Sequence, residues 1–316
     1  MPVPHALLAG IVDYAGLFPP AGLAMGPAVR NHARYRAGDT AWMLGRFVVP
    51  VTRLEEFEAA AFDLLPAADD GEPWRLSALA GTDVAADAAR LAAFDARHAP
   101  DREAGRAVVD VLEARVATPD ACAALAPLAA RGLDVYAEVP WQAPDAFAAF
   151  AAFAAFAAAA RTAGVRLKLR TGGVTPDAFP PPDAVLAFLV ACRDAGVAAK
   201  ATAGLHHPLA GEHPLTYDPG CARGTMYGFV NVFLAAALLR LGHEPARVRP
   251  LLTEREAAAF TVNDGAIAWR GLRADAAALA DARAHALVAF GSCSFEEPVA
   301  DLRALGWLPV TNAPRS

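Results

Sequence analysis

Two lysines stand inside short β-rich segments of this chain. Lys168 lies in the run VRLKLRTGG, and Lys200 opens the run KATAGLHHP. Lysine is among the residues least often buried without a partner, so each position needs an explanation. Side chains alternate between the two faces of a strand, so Arg170 shares a face with Lys168, and Thr202 shares one with Lys200. Glu138, in the preceding run DVYAEVP, is expected to face the same cavity if these strands are neighbours covered by helices.

Paired lysines on neighbouring strands predict carbonyl chemistry. Neighbouring strands lie about 4.8 Å apart, so two ammonium groups repel and the weaker one loses its proton more easily. A neutral lysine attacks an aldehyde or ketone to form a Schiff base, whose iminium accepts electrons from an adjacent bond. Lys168 and Lys200 thus predict a lyase or aldolase that makes or breaks a carbon–carbon bond in a small carbonyl compound. The alternative is that Glu138 only neutralises Lys168, and such buried pairs are poor evidence of net stabilisation.

Small-residue loops after the strands favour an anionic substrate. In barrels the last loops often bind phosphate through backbone N–H groups, and Arg170 could add a bidentate contact to phosphate or carboxylate. A non-catalytic barrel that binds a small anion through Lys168, Arg170 and Lys200 is the alternative from another class of protein. The expected substrate-binding residues are Arg170, Thr171, Gly172, Gly173, Thr202, Gly204, His207, Ser292 and Ser294.

Two histidines follow the second lysine segment. The near-neutral pKa of histidine suits His206 to general acid or base catalysis, although a loop histidine also serves to bind backbone groups. Together with Glu138, Glu113 and Asp13, His206 and His207 could instead hold a divalent metal ion. The protein would then be a metal-dependent isomerase, lyase or hydrolase. The first hypothesis needs no metal and no cofactor.

The spacing of the β-rich runs predicts an α/β fold. Runs begin near residues 45, 75, 107, 134, 165 and 198, with a helical stretch in each interval. Strand, helix and strand at this spacing form the βαβ unit, which requires parallel strands. A strand pair in AFTVNDGAIAWRG and a last strand in LVAFGSCSF complete a (β/α)8 TIM-type barrel. We expect residues 1–316 to form a single barrel domain, with residues 1–42 as an N-terminal helical extension that caps the barrel of 43–316, and a helical insertion before the last strands.

Several segments resemble the deoxyribose-phosphate aldolases, which are class I, Schiff-base-forming enzymes. KLRTG at residues 168–172 is similar to one lysine segment of that family, and KATAG at residues 200–204 is similar to the other. FGSCSF resembles its phosphate-side loop, and VVDVL places Asp110 where the family carries an acidic residue. The resemblance implies that Lys168 forms the Schiff base, that Lys200 lowers its pKa and that Asp110 helps to move protons. The chain would be a divergent member of that superfamily. DYAGLFPP, KATAGLHHP and GSCSFEEP also resemble segments of a bacterial family, and that resemblance implies no activity.

Asp110 has a competitor three residues further along the chain. Asp110 and Glu113 lie on opposite faces of a regular strand, so only one can point inward unless a β-bulge intervenes. We take Asp110 as the inward residue, in keeping with the resemblance.

Bulk composition argues against several other classes of protein. The formal net charge is -6, and no run of lysine or arginine suggests a nucleic-acid surface. The most apolar segment, GFVNVFLAAALLRLG, is interrupted by Asn231 and Arg240 and is too short for a membrane span. No basic secretion signal begins the chain, so we expect a cytoplasmic protein. Its expected partner is a small carbonyl substrate, and a homo-oligomer is compatible with the sequence.

Overall fold

The computed structural model describes residues 4–67, 71–99, 106–142 and 146–309. In these residues the strands are β1 Val12–Tyr14, β2 Leu44–Pro50, β3 Trp74–Leu79, β4 Ala107–Arg115, β5 Asp134–Val139, β6 Arg166–Arg170, β7 Ala199–Thr202, β8 Gly211–Pro214, β9 Arg223–Met226, β10 Phe260–Asn263, β11 Ala266–Trp269, β12 Leu272–Asp275 and β13 Leu287–Ser292. The helices are α1 His5–Leu8, α2 Met25–Arg36, α3 Leu54–Ala61, α4 Val84–Arg97, α5 Ala126–Ala129, α6 Ala146–Ala163, α7 Pro182–Ala195, α8 Phe229–Arg240, α9 Pro245–Val248, α10 Ala276–His285 and α11 Glu296–Ala304.

Eight parallel strands close into a barrel. Their order around the barrel is β1, β13, β7, β6, β5, β4, β3, β2, and every neighbouring pair is parallel. The predicted (β/α)8 fold class is therefore confirmed. The six strands expected from the regular spacing, and the last one, are all barrel strands. Their carboxyl ends meet at one end of the barrel, where active sites of this fold are built.

The N-terminal residues do more than cap the barrel. The prediction that 1–42 lie outside the barrel is wrong, because β1 pairs with β13 on one side and with β2 on the other. All three residues of β1 are buried. A strand this short gives no periodic signal, and the glycine and proline residues around it resemble a loop.

The strand pair expected near residue 260 is not part of the barrel. Strands β10, β11 and β12 instead form a separate antiparallel sheet, and they lie between α8 and α10 in the sequence. A second insertion, the hairpin of β8 and β9, follows β7. The segment between β7 and β13 also contains α8, α9 and α10, so the predicted helical insertion before the last strand is present.

The apolar helix α8 is part of this insertion. Its residues from Phe229 to Leu239 are all buried, and it packs against α10, α7 and the 3-10 helix Arg249–Thr253. A helix that is apolar all round is expected to be buried in this way. No helix in the described ranges is long and apolar enough to cross a membrane.

Candidate active site

Glu113 on β4 lies at the centre of a cluster of buried charges. Its Oε2 lies 2.5 Å from Lys168 Nζ, and its Oε1 lies 2.5 Å from Lys200 Nζ. Ser77 on β3 donates a hydrogen bond of 2.6 Å to the same Oε1. Burial alone would raise the pKa of Glu113, but the two ammonium groups outweigh it and hold the pKa well below its usual range. One carboxylate therefore bridges both lysines.

The register of the strands explains why these side chains meet. Lys168 on β6 and Lys200 on β7 are directly paired positions, and Glu138 on β5 pairs with Lys168 from the other side. Lys168 Nζ lies 2.7 Å from Glu138 Oε2. Burial would raise the pKa of Glu138, but Lys168, and then Arg170 and Arg115, lower it. The register thus brings Glu138, Lys168, Arg170 and Lys200 to one side of their strands, as the alternation of side chains predicted.

Lys200 has a second carboxylate partner, which comes from β1. Asp13 Oδ2 lies 2.5 Å from Lys200 Nζ, and Asp13 Oδ1 accepts a hydrogen bond of 2.7 Å from the backbone N–H of Arg46. Burial alone would lower the pKa of Lys200, but Asp13 and Glu113 raise it above its usual range. Lys200 is consequently held as a cation. The ring of Tyr136 adds a further contact, since Nζ lies 5.3 Å from its centroid.

The amino-acid count singles out the same pair of residues. The chain has two lysines, Lys168 and Lys200, against 26 arginines. Both lysines are almost completely buried. A guanidinium stays protonated in proteins, whereas an ammonium can lose its proton and react. The chain therefore keeps a primary amine only at two positions inside the barrel and, like any chain, at its N-terminus. This count needs no structure, and it is a signal in the sequence that singles out both lysines.

Asp110 does not belong to this cluster. Arg46 binds both of its carboxylate oxygens, at 2.6 and 2.9 Å, and Arg75 also pairs with it. Asp110 does not line the cavity that opens over the lysine cluster. The register between β3 and β4 shifts at this residue, because Leu76 pairs with Val109 and the next residue of β3 pairs with Val111. Glu113, and not Asp110, is thus the residue of β4 that contacts the lysines, because the bulge changes which later residues of the strand face them. The role of Asp110 in moving protons stays a prediction.

A cavity of about 860 Å³ opens over the cluster at the carboxyl ends of the barrel strands. Arg170 reaches it from the end of β6 and is half-buried. In the described part of the chain, no carboxylate forms an ion pair with Arg170. Its guanidinium is thus available to an anion in the cavity. The other predicted site residues in the cavity wall are Glu138, Lys168, Gly173, Lys200, Thr202, Gly204 and His206.

His206 lies at the border between this cavity and a second one of about 530 Å³. Its Nδ1 lies 2.8 Å from Glu297 Oε2 on α11, and the hydroxyl of Tyr217 donates to the same oxygen at 3.2 Å. Burial would raise the pKa of Glu297, but His206 lowers it. A carboxylate on Nδ1 leaves Nε2 as the nitrogen that can exchange protons with a ligand.

His207 is placed differently. Its Nδ1 lies 2.5 Å from Asp301 Oδ2, and its ring stacks on His213 at a centroid distance of 3.5 Å. It contributes to the wall of the second cavity and not to that of the first. Its neighbours support a structural role in holding the β8–β9 hairpin against α11.

The loop after β6 is packed against the loop after β7. Thr171 donates a hydrogen bond of 2.8 Å to the carbonyl of Ala203. Ala203 and Gly204 both have positive φ, at 62° and 70°, and a non-glycine residue in that region is strained. A Cβ at Gly204 would lie 3.0 Å from the Cα of Gly172 and 2.7 Å from the ring of Phe179. Thr171 and Gly172 therefore support the cavity floor and do not line it.

The two serines of the last loop bind backbone groups. Ser292 Oγ accepts a hydrogen bond of 3.3 Å from the N–H of Ser294. Ser294 Oγ in turn accepts one of 3.1 Å from the N–H of Glu297 in the first turn of α11. Neither serine lines the main cavity. Their hydroxyls shape the turn that positions Glu297.

The geometry does not assemble the alternative metal site. Across the described ranges, no three histidine, cysteine, aspartate or glutamate side chains are grouped as ligands for a metal ion. Glu138 faces Lys168, while His206 and His207 face carboxylates of α11.

The class of protein is thus a (β/α)8 barrel with a buried lysine pair under its carboxyl-end cavity. No family model matches the chain, and none of the curated proteins matches it. Among solved structures, it is similar to the tetrameric deoxyribose phosphate aldolase from Aeropyrum pernix, with 17% sequence identity and a TM-score of 0.45. The similarity covers 65% of this chain and 80% of the aldolase chain. The closed barrel of eight parallel strands itself establishes the fold.

Proposed function

We propose that this protein is a Schiff-base-forming lyase or aldolase, with Lys168 as the amine that attacks the substrate carbonyl. The observation that carries the proposal is the placement of the chain's two lysines. Both are buried side by side beneath one cavity, while 26 other basic positions are arginine. An ion pair or an anion site could use arginine at these positions, whereas imine formation requires a primary amine.

The contacts of the two lysines suggest different roles. Lys200 is paired with Asp13 and Glu113, which raise its pKa and keep it charged. Lys168 lies 2.5 Å from Glu113 and 2.7 Å from Glu138, and both of these carboxylates line the cavity, whereas Asp13 does not. We assign the attacking amine to Lys168 because the Glu138 carboxylate, 2.7 Å away in the cavity wall, is placed to receive the ammonium proton when the substrate binds. Lys168 is then free to react, and Lys200 supplies a fixed positive charge beside it.

The reaction follows from these positions. The Lys168 amine adds to the carbonyl carbon and passes one of its two protons to the oxygen. Protonated Glu138 then gives the oxygen a second proton, and the oxygen leaves as water. The resulting iminium withdraws electrons, so the bond between the α carbon and a hydroxyl-bearing β carbon breaks when a base removes the proton of that hydroxyl group. The β carbon then leaves as an aldehyde or ketone. The electron pair of that bond becomes an enamine, which takes up a proton before water releases the product from Lys168. The same steps in reverse form the bond.

Two further residues complete the proposed site. His206 lines the cavity and has its Nδ1 occupied by Glu297, so its Nε2 suits the proton transfer at the hydroxyl group. Arg170 would bind a carboxylate or phosphate of the substrate through its planar guanidinium. The substrate class is therefore a carbonyl compound with one anionic group.

Reductive trapping tests the proposal. The protein would be incubated with small aldehydes, ketones and 2-oxo acids together with borohydride, and adducts would be mapped by peptide mass spectrometry. Because the chain has two lysines and one terminal amine, every adduct can be assigned without ambiguity. We expect an adduct on Lys168.

Matched variants separate imine chemistry from charge. Lys168→Arg keeps a cation but offers no amine, so the adduct should be lost while the terminal amine still reacts to the same extent. Lys168→Met should give the same result if arginine disturbs the packing. An adduct on Lys200 alone would overturn the assignment, and folded protein without any lysine adduct would overturn the proposed function.

A further inference from the structure

We infer that the substrate of this site has an extended apolar body beside its carbonyl and anionic groups, and is not a polyhydroxylated sugar phosphate. The inference rests on the proposed function and concerns the class of compound that the cavity accepts. It follows from an uneven distribution of side chains around the cavity.

One half of the cavity wall carries the charges. Glu138, Lys168, Arg170 and Lys200 come from β5, β6 and β7, which are consecutive neighbours in the barrel. Glu113 and Arg115, which pairs with Glu138, come from the adjacent β4. These groups line one side of the cavity. A carbonyl at Lys168 and an anion at Arg170 would both lie on this side.

The other half is apolar. The segments that follow β1, β2, β3 and β4 meet around the opposite side, and its largest apolar side chains are Phe18, Leu79, Val84 and Leu125. Leu215 and Met226, at the β8–β9 hairpin, add apolar surface to the cavity near the segment that follows β6. Apolar surface of this kind gains free energy when a ligand displaces water from it.

Hydroxyl groups would find few partners on that half. The hydroxyl side chains in its wall, within the described residues, are Thr52 and Thr82. A polyhydroxylated chain placed there would leave some of its own hydroxyls without hydrogen bonds, which is costly in a desolvated pocket. An alkyl or aromatic body carries no such cost.

The size of the cavity leads to the same conclusion. At about 860 Å³ it is large for a compound of three or four carbons, because pockets of about 300–1,000 Å³ typically enclose drug-sized ligands. A short substrate would leave water against the apolar half. A longer apolar substrate would fill it.

Trapping with matched probes tests the inference. We would measure the concentration that gives half-maximal adduct on Lys168 for succinic semialdehyde, azelaic semialdehyde, nonanal and glyceraldehyde phosphate. Each methylene buried contributes about fourfold in affinity, so azelaic semialdehyde should half-saturate at a concentration at least tenfold lower than succinic semialdehyde. Nonanal, which lacks the anion, should bind more weakly than azelaic semialdehyde. Tightest trapping of glyceraldehyde phosphate would overturn the inference.

A pair of phenylalanine variants locates the effect. Phe18 lines the apolar half, whereas Phe62 is 72% exposed and lies outside the cavity wall. Phe18→Ser should reduce the advantage of azelaic over succinic semialdehyde severalfold. Phe62→Ser, the same chemical change elsewhere, should leave that ratio as in the wild type. An unchanged ratio in Phe18→Ser protein would count against the assigned wall.

A measurement without imine chemistry keeps the two proposals apart. Octanoate and glycerol phosphate have no carbonyl that can react, so their effect on thermal stability reports binding alone. Greater stabilisation by octanoate, without any lysine adduct from the aldehydes, would support the ligand class and overturn the imine. Adducts on Lys168, together with equal stabilisation by octanoate and glycerol phosphate, would support the imine and overturn the ligand class.

Discussion

At the scale of single residues, the site is a chain of alternating charges. Asp13, Lys200, Glu113, Lys168 and Glu138 follow one another, with each neighbouring pair within 2.7 Å. Buried charges are tolerated only when they are paired, and the removal of one partner leaves an uncompensated ion. Glu113 is the carboxylate whose loss has the largest effect, because it pairs with two cations.

Replacement of Glu113 should therefore be far more costly than replacement of a surface carboxylate. We expect Glu113→Gln to lower the free energy of unfolding by about 3–5 kcal/mol at neutral pH. Glu56→Gln, which removes an exposed pair with Arg53, should cost less than about 1 kcal/mol. Urea denaturation of the three proteins measures both values, and a similar small loss in both variants would contradict the predicted role of Glu113.

The pH dependence of this loss has a definite sign. The pKa of Glu113 is lowered in the folded protein, so its stabilising contribution is present above the pKa of an unfolded glutamate, about 4.3. The contribution decreases as the pH falls below that value, since the unfolded chain then takes up a proton. The difference between wild type and Glu113→Gln should shrink over the same range.

Strand alternation predicted part of the site and missed the rest for physical reasons. Lys168, Arg170, Lys200 and Glu138 lie on regular strands, so their common face could be deduced from the sequence. Glu113 follows a bulge, which breaks the period of two that would set Asp110 and Glu113 on opposite faces of a regular strand.

At the scale of elements, α2 is unusual because its buried face contains a histidine. His32 packs against Trp74 at a centroid distance of 4.7 Å and against Phe47 at 5.4 Å. Neither of its ring nitrogens has a hydrogen-bond partner among the described residues. Burial, and then the charge of Arg36, lowers the pKa of His32 to about 3. The packing of α2 on the barrel thus requires a neutral ring.

Stability should accordingly fall as the pH drops below the ordinary pKa of histidine. Between about pH 6.5 and 3 the unfolded chain binds a proton that the folded His32 does not, at about 1.4 kcal/mol per pH unit. We expect His32→Phe to reduce the slope of unfolding free energy against pH by about that amount over this range. Denaturation series at several pH values give the slopes. Above pH 7.5 the two curves should run parallel, and parallel curves at lower pH as well would refute the prediction.

At the scale of the whole molecule, the barrel closes through its N-terminal segment. β1 lies between β2 and β13, and it delivers Asp13 to the site. Arg283 on α10 donates hydrogen bonds to the carbonyls of Leu7 and Ala9, just before β1. Helix α10 therefore holds the segment before β1 in place.

Removal of residues 1–42 should prevent formation of the native barrel. A chain of residues 43–316 would expose the edges of β2 and β13 and leave Lys200 with one carboxylate fewer, and unpaired strand edges favour aggregation. We expect loss of cooperative thermal unfolding by circular dichroism and association in gel filtration. Addition of a peptide of residues 1–42 should restore part of both signals. A folded, monodisperse 43–316 fragment that still forms the Lys168 adduct would show that β1 is dispensable.

The fold was predictable from the sequence where the βαβ repeat is regular, and not at its ends. Six successive units predicted a parallel barrel because strand, helix and strand recur at a nearly constant interval. The eighth strand was sought near residue 260, where alternation is clear, but those residues pair with one another. Three buried residues at β1 complete the barrel through tertiary pairing, for which a local pattern gives no signal.

The scarcity of lysine has a practical consequence for labelling. Reagents that acylate amines modify lysine side chains on the surface of most proteins, but here both lysine side chains are enclosed. In the native state such a reagent should therefore not acylate Lys200, because Asp13 and Glu113 hold it as a charged ammonium. Each label on Lys200 then counts a molecule whose barrel has opened, so the protein carries its own chemical reporter of unfolding.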